Sequence, residues 1–71
     1  MIPFNNKLRD ILYARNITIL QFCADTGFDR INFFYRREQR KRNKYVYMAI
    51  AYYLDMKLEE LVEGTDMEDL I

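Results

Sequence analysis

Basic side chains are concentrated in one short stretch of this chain and acidic side chains in another. Residues 30–44 hold seven basic residues and one acid, Glu38, whereas residues 55–71 hold seven acids and one base, Lys57. The net charge of zero therefore hides about +6 in the middle and about −6 at the end. Crowded like charges repel one another, and a polyanion relieves that repulsion and gains from counterion release. The basic block predicts nucleic-acid binding, and the alternative is an ordinary solvated face. Its members are Arg30, Arg36, Arg37, Arg40, Lys41, Arg42 and Lys44.

Side chains suited to catalysis or metal binding are scarce. Histidine is absent and Cys23 is the single cysteine, so neither a disulfide framework nor a zinc site is predicted. The carboxylates cluster in the acidic tail, where mutual solvation explains them better than acid–base catalysis. We therefore expect no enzymatic activity, no metal and no cofactor.

No targeting or membrane segment is apparent. The apolar start is too short for a signal peptide, and no run approaches the roughly 18 apolar residues of a membrane span. The sequence thus predicts a cytoplasmic protein that does not enter a membrane. Its 71 residues suit a single domain, and a hydrophobic share of 51% allows a compact core.

Helical patterns predominate in the first half of the chain. Leu8, Ile11 and Leu12 follow helical spacing, with Asn5 or Asn6 as the N-cap, and Asn16 can end that helix in a left-handed turn. Thr18 and Gln21 fit a capping box that opens a second helix. We expect this helix to run to about residue 26, to bury Leu20 or Phe22 together with Cys23, and to be followed by a sharp turn at Gly27.

The second half predicts three more helices. Asp29 is a suitable N-cap for a third helix ending near residue 37, and residues 38–44 suit a connecting loop. A fourth helix is predicted over 45–54 and a fifth over 58–63, with Gly64 at its C-cap. The prediction is an all-α domain of five short helices, with a core over 5–63 and an acidic tail over 64–71.

Five short segments of the sequence, taken in chain order, resemble the helix-turn-helix domain of Cro/cI-type phage repressors (the XRE family). The similarity covers about residues 5–63. It is strongest at Thr18 opening the second helix, at the small residue Cys23, at Gly27, and in a closing Ile-Ala-x-x-Leu…Leu-x-x-Leu pattern. The segments are Leu8-Arg9-Asp10-Ile11, Asn16-Ile17-Thr18, Phe22-Cys23, Gly27-Phe28 and Ile50 to Leu61.

The resemblance implies a compact, lambda-repressor-like bundle that binds double-stranded DNA as a transcription regulator, with a homodimer as a possible state. The first turn of the third helix would then face the major groove, where arginine can pair with guanine and asparagine with adenine. The implied base-reading residues are Arg30, Ile31, Asn32, Tyr35 and Arg36. The implied phosphate contacts are Thr18, Arg37, Arg40, Lys41, Arg42 and Lys44.

A surplus of apolar residues supports a second hypothesis. Ile19 stands where the family usually has glutamine, and the third helix is bulky and apolar, so one of Phe33 and Phe34 should be exposed. Residues 45–54 contain no charged side chain. Such surfaces are typical of protein interfaces, which favours an antirepressor that binds and blocks a partner repressor protein. The interface candidates are Ile31, Phe34, Tyr35, Tyr45, Tyr47, Tyr52, Met67 and Leu70.

Overall fold

The all-α class predicted from the sequence is confirmed. A computed structural model of the chain describes residues 1–36 and 43–70, and these residues form five helices and a closing 3₁₀ turn. In chain order they are α1 (Phe4–Ala14), α2 (Ile19–Thr26), a π-helix (Ile31–Arg36), α3 (Lys44–Tyr53), α4 (Leu58–Val62) and the 3₁₀ turn (Glu68–Leu70).

The start of α1 is held by the other end of the chain. Pro3 occupies the N-cap position and supplies no side-chain bond, whereas the Asp66 carboxylate accepts a hydrogen bond from the Phe4 amide at 2.9 Å. Ile2 and Thr65 pair in an isolated parallel bridge. The predicted N-cap, Asn5 or Asn6, is therefore wrong. Proline favours a helix start, and a distant carboxylate supplies the acceptor that local sequence reasoning assigned to asparagine.

Local turn chemistry is mostly as predicted around α2. Asn16 has a φ of 59° and Gly27 a φ of 80°, which is the left-handed geometry expected of both. The Thr18 hydroxyl accepts a hydrogen bond from the Gln21 amide at 3.0 Å. However, the Gln21 side chain donates to Asp25 at 2.7 Å and not back to Thr18, so half of the predicted capping box forms.

The third helix differs from its prediction in both geometry and burial. It is a π-helix, and Phe33 and Phe34 are both buried, with Phe34 only 4% exposed. The prediction that one of the two rings would be exposed is wrong. Consecutive residues of an α-helix point about 100° apart, whereas the wider π turn reduces that angle and lets adjacent side chains enter the same core.

The buried side of α3 packs on the core and the opposite side is exposed. Tyr47, Ile50, Ala51 and Leu54 are buried, and their spacing of three and four residues places them on one face. Tyr47 was predicted as an interface residue; that prediction is wrong because its ring packs edge-on against Phe4, with centroids 4.8 Å apart.

The main core joins all five helices. It consists of Phe4, Leu8, Leu12, Phe22, Phe33, Phe34, Tyr47, Ile50, Ala51, Leu54, Leu61 and Val62.

The C-terminal part packs against this core. The Lys7 ammonium donates to the Glu60 and Glu63 carbonyls at 2.5 and 2.8 Å, at the end of α4 where the helix dipole favours a cation. Met67 and Leu70 are half-buried against the core. Both were predicted as interface residues, and in the structure they pack back on the bundle.

Candidate nucleic-acid interface

A tight turn followed by a capped helix start connects α2 to the π-helix. The Asp29 carboxylate accepts a hydrogen bond from the Asn32 amide at 3.0 Å, so its predicted capping role is confirmed. Phe28 is stacked on Phe33, with ring centroids 4.9 Å apart and planes 8° from parallel. Phe33 and Phe34 each also contact Phe22 of α2. These rings fix the position of the π-helix against α2.

The outward side of this helix carries the predicted base-reading residues. Arg30 is exposed, Ile31 is 52% exposed and Tyr35 is 67% exposed, whereas Asn32 is half-buried. Ile31 and Tyr35 are four residues apart and lie on one face. The exposed surface is therefore a cation next to two large, mainly apolar side chains, with one amide at its edge.

Cys23 lies close to the start of the same helix. Burial raises the pKa of its thiol, and the charge of Arg30 opposes that shift while the charge of Asp29 adds to it. Because burial is the largest cause, the sulfur is a protonated thiol near neutral pH. Its half-buried position and contact with the core fit the packing role expected of a small residue here.

The N-terminus of α2 borders an open groove of about 560 Å³ beside α1. Thr18 lies in its lining, with its hydroxyl already accepting the capping bond from Gln21. Ile19 and Ile17 give the groove apolar character. The remaining lining residues are Arg9, Leu12, Tyr13 and Asn16.

Two residues that sequence reasoning missed hold the π-helix in place. The Arg9 guanidinium lies over the Phe34 ring, with its Cζ 5.5 Å from the centroid. The Asn5 side-chain amide donates to the Phe34 carbonyl at 3.1 Å. Both contacts join α1 to a helix more than 20 residues away, and no local pattern in the sequence indicates them.

The described side chains of the basic block are those at its two ends. Arg30 is exposed before the π-helix, and Lys44 is exposed as the first residue of α3. Four predicted phosphate contacts, Arg37, Arg40, Lys41 and Arg42, lie outside the described residues, as does the predicted loop over most of its length. The side chain of Arg36 lies outside them too.

The interface candidates divide into exposed and buried sets. Tyr45 and Tyr52 are 78% and 89% exposed, on the outer side of α3, and Ile31 and Tyr35 are exposed as described above. Phe34 is buried, so its prediction as an interface residue is wrong. The physical reason is the π geometry, which turns its ring inward beside Phe33.

A hydrogen-bonded group connects α2 to α3 away from this surface. The Tyr53 hydroxyl donates to Asp25 Oδ2 at 2.6 Å, and Gln21 donates to Asp25 Oδ1. The bond to Asp25 is the main cause that raises the pKa of Tyr53, because it stabilises the protonated phenol. The group stabilises the packing of α2 on α3 without using a predicted site residue.

Comparisons with protein-family models, curated proteins and solved structures found no match to this chain. Among the described helices, none has both the length and the apolar character needed to cross a membrane. Within residues 1–36 and 43–70, no group of three or more cysteine or acidic side chains is arranged to hold a metal ion.

Proposed function

We propose that this chain is a small helix-turn-helix transcription regulator that binds duplex DNA through its π-helix and the basic segment after it. One combination of features carries the proposal. Arg30 is exposed directly before a helix that aromatic packing anchors to α2, and a strongly basic segment follows that helix in the sequence. We further propose that it acts in the cytoplasm, without enzymatic activity.

Each exposed residue then has a specific role at the DNA surface. Arg30 binds a guanine edge through two donors, Asn32 pairs with an adenine, and Ile31 or Tyr35 contacts a thymine methyl group. Lys44 and the basic residues of the intervening segment neutralise phosphates, which supplies affinity that does not depend on sequence.

Duplex affinity as a function of salt tests the phosphate part of the proposal. Reversing Arg37 and Arg40 to glutamate should weaken binding to every duplex alike and reduce the slope of log K against log salt by about 0.9 for each lost contact. Lys57→Glu is the control for each single reversal, because it changes the net charge by the same two units at an exposed cation in the acidic half of the chain. Equal duplex affinity of the double variant and the control would contradict the proposal.

Selection from a random duplex library tests base reading. Arg30→Ala and Asn32→Ala should each cost about 1–3 kcal/mol on the selected site and much less on random DNA. An equal loss on both kinds of DNA would show that the side chain positions the protein without reading sequence, and failure to enrich any site would remove the specific part of the proposal.

A second candidate function, an antirepressor, is favoured by one observation. Ile31, Tyr35 and Leu20 of α2 are large, mainly apolar and exposed, whereas a groove-reading surface normally carries more polar groups. In this function they bind a partner repressor and block it. Truncating such aromatic anchors commonly costs about 2 kcal/mol or more of binding.

The two functions are separated by titrating an Ile31→Asp variant against a candidate repressor and against duplex DNA. A loss confined to repressor binding supports the antirepressor. A loss confined to DNA binding supports the regulator, and binding to neither by the wild-type protein rejects both.

A further inference from the structure

The outer face of α3 is free of charge although it is exposed. Tyr45, Met48, Ala49 and Tyr52 are spaced at three, four and seven residues, so they form one continuous stripe opposite the buried face. Both tyrosines are more than three-quarters exposed. We call these four residues the tyrosine stripe. Tyrosine and methionine are enriched in protein interfaces, whereas a solvated helix face normally carries charges.

From this arrangement we infer that the tyrosine stripe is a self-association surface, on which α3 of a second copy of the chain packs antiparallel. The inference is independent of DNA binding. Tyr45 and Tyr52 are among the interface candidates predicted from the sequence, and the inference assigns a second copy of the chain to them as the partner.

Charge is what selects a second copy as the occupant. Lys44 lies at the N-terminal end of the stripe and Asp55 directly beyond its C-terminal end, and both are exposed. In an antiparallel pair each Lys44 faces the partner's Asp55, and the two helix dipoles are opposed, which is also favourable. A parallel pair would place like charges side by side at both ends. The face is thus complementary to itself in one orientation.

Steric fit points to the same pairing. When Tyr45 of one copy lies opposite the partner's Tyr52, Met48 lies opposite the partner's Ala49, and the two-fold axis passes between these last two positions. The small side chain of Ala49 leaves room for the longer Met48 on each side of the axis. This gives an isologous contact of the kind that closed dimers use.

The size of the stripe sets the strength of the dimer. Two tyrosines that each bury roughly 150–250 Å² give about 600–1,000 Å² over both copies. This is below the roughly 1,200 Å² of a stable standard interface, so the dimer should be weak and reversible and should dissociate on dilution.

Sedimentation of the full chain without DNA tests the inference. The protein concentration should run from about 10 to 500 μM, because a dimer with so small an interface should dissociate within that range. The mean mass should rise with concentration for the wild type. Tyr52→Glu should reduce association at least tenfold, and Tyr13→Glu should leave it unchanged. The two variants are matched because Tyr13 is 86% exposed and also lies in the last turn of its helix. A wild type that stays monomeric throughout, or equal association of both variants, would overturn the inference.

Cross-linking tests the orientation in a Cys23→Ser background. Ala49→Cys lies next to the two-fold axis and should form a symmetric disulfide under mild oxidation. Tyr52→Cys should not, because the antiparallel pairing separates the two copies of residue 52 by about 10 Å along the helices, beyond the roughly 7 Å that a disulfide spans. Efficient cross-linking through residue 52 and none through residue 49 would overturn the antiparallel arrangement. Since no DNA is present, these results are independent of those that test the proposed function.

Discussion

Replacing Phe34 by leucine tests the most unexpected feature of the fold, the burial of two adjacent rings by the π-helix. The sequence alone placed one of these rings on the surface, where its loss would matter little. In the structure the Phe34 ring is enclosed and packs edge-on against Phe33 and Phe22, with centroids 4.9 and 6.2 Å apart. Phe34→Leu removes both ring contacts while keeping an apolar group in the core.

The expected loss follows from these contacts. Two edge-on aromatic pairs contribute about 0.5–1.5 kcal/mol each beyond area burial, and the Arg9 guanidinium over the ring adds about 0.5–1 kcal/mol. We therefore expect Phe34→Leu to lower the free energy of unfolding by about 2–3 kcal/mol. A domain of this length has about 4–10 kcal/mol in total, so the variant should still fold.

Thermal and urea unfolding followed by circular dichroism measure the effect. A loss of this size should lower Tm by about 10–20 °C. Tyr35→Leu changes the neighbouring exposed residue, and its free energy of unfolding should stay within about 0.5 kcal/mol of the wild-type value. A double-mutant cycle with Arg9→Gln should recover a coupling of about 0.5–1 kcal/mol. If Phe34→Leu proved no more destabilising than Tyr35→Leu, the burial of both rings would be refuted.

Three further predictions follow from single contacts. Thr18→Ala should cost about 1 kcal/mol of unfolding free energy through loss of the cap on α2, and Thr18→Ser should restore most of it in the same melts. Lys7→Met keeps the apolar stem but removes the cation from the C-terminus of α4, and in urea titrations it should cost about 0.3–1 kcal/mol, against no measurable change for Lys57→Met. The Tyr53 phenol should titrate above its ordinary pKa of about 10 in ultraviolet absorbance, and Asp25→Asn should lower that pKa. Because the pKa of Tyr53 is raised in the folded state, the stabilisation from this bond is complete below the unfolded pKa and is lost as pH rises through the folded pKa. An unchanged titration of Tyr53 in the Asp25→Asn variant would contradict the role of this bond.

Features set by local chemistry could be predicted from the sequence. Asn16 and Gly27 adopt the left-handed conformation because a short polar side chain or none at all tolerates it. Thr18 caps α2, and Asp29 caps the start of the π-helix, because each short side chain reaches an amide three residues ahead. The predicted bounds of α2 and α3 also agree with the structure to within about one residue.

Features set by distant contacts could not be predicted. The cap of α1 comes from Asp66, which no window around residue 4 contains. The inward position of Tyr47 could not be predicted because residues 45–54 carry no charge, so hydrophobic periodicity could not assign the buried face of α3. The candidate site was predicted in part: Arg30, Ile31 and Tyr35 are exposed as the resemblance implies, whereas Phe34 points inward because the helix is wider than the α-helical spacing assumed.

The bond from the Phe4 amide to Asp66 also determines when the first turn of α1 can become stable. The two residues are 62 positions apart, so the chain loses nearly the whole entropy of joining its ends before this bond can form. The first turn of α1 should therefore be completed late in folding, after α2, α3 and α4 have assembled. The backbone amides of this turn should also become accessible to hydrogen exchange whenever residues 64–70 detach from the bundle, even while the other helices stay folded. In native-state hydrogen exchange, Asp66→Ala, which removes the acceptor, should accelerate exchange at Phe4 far more than in the middle of α3. Equal acceleration at both would mean that the two ends of the chain open only with the whole molecule.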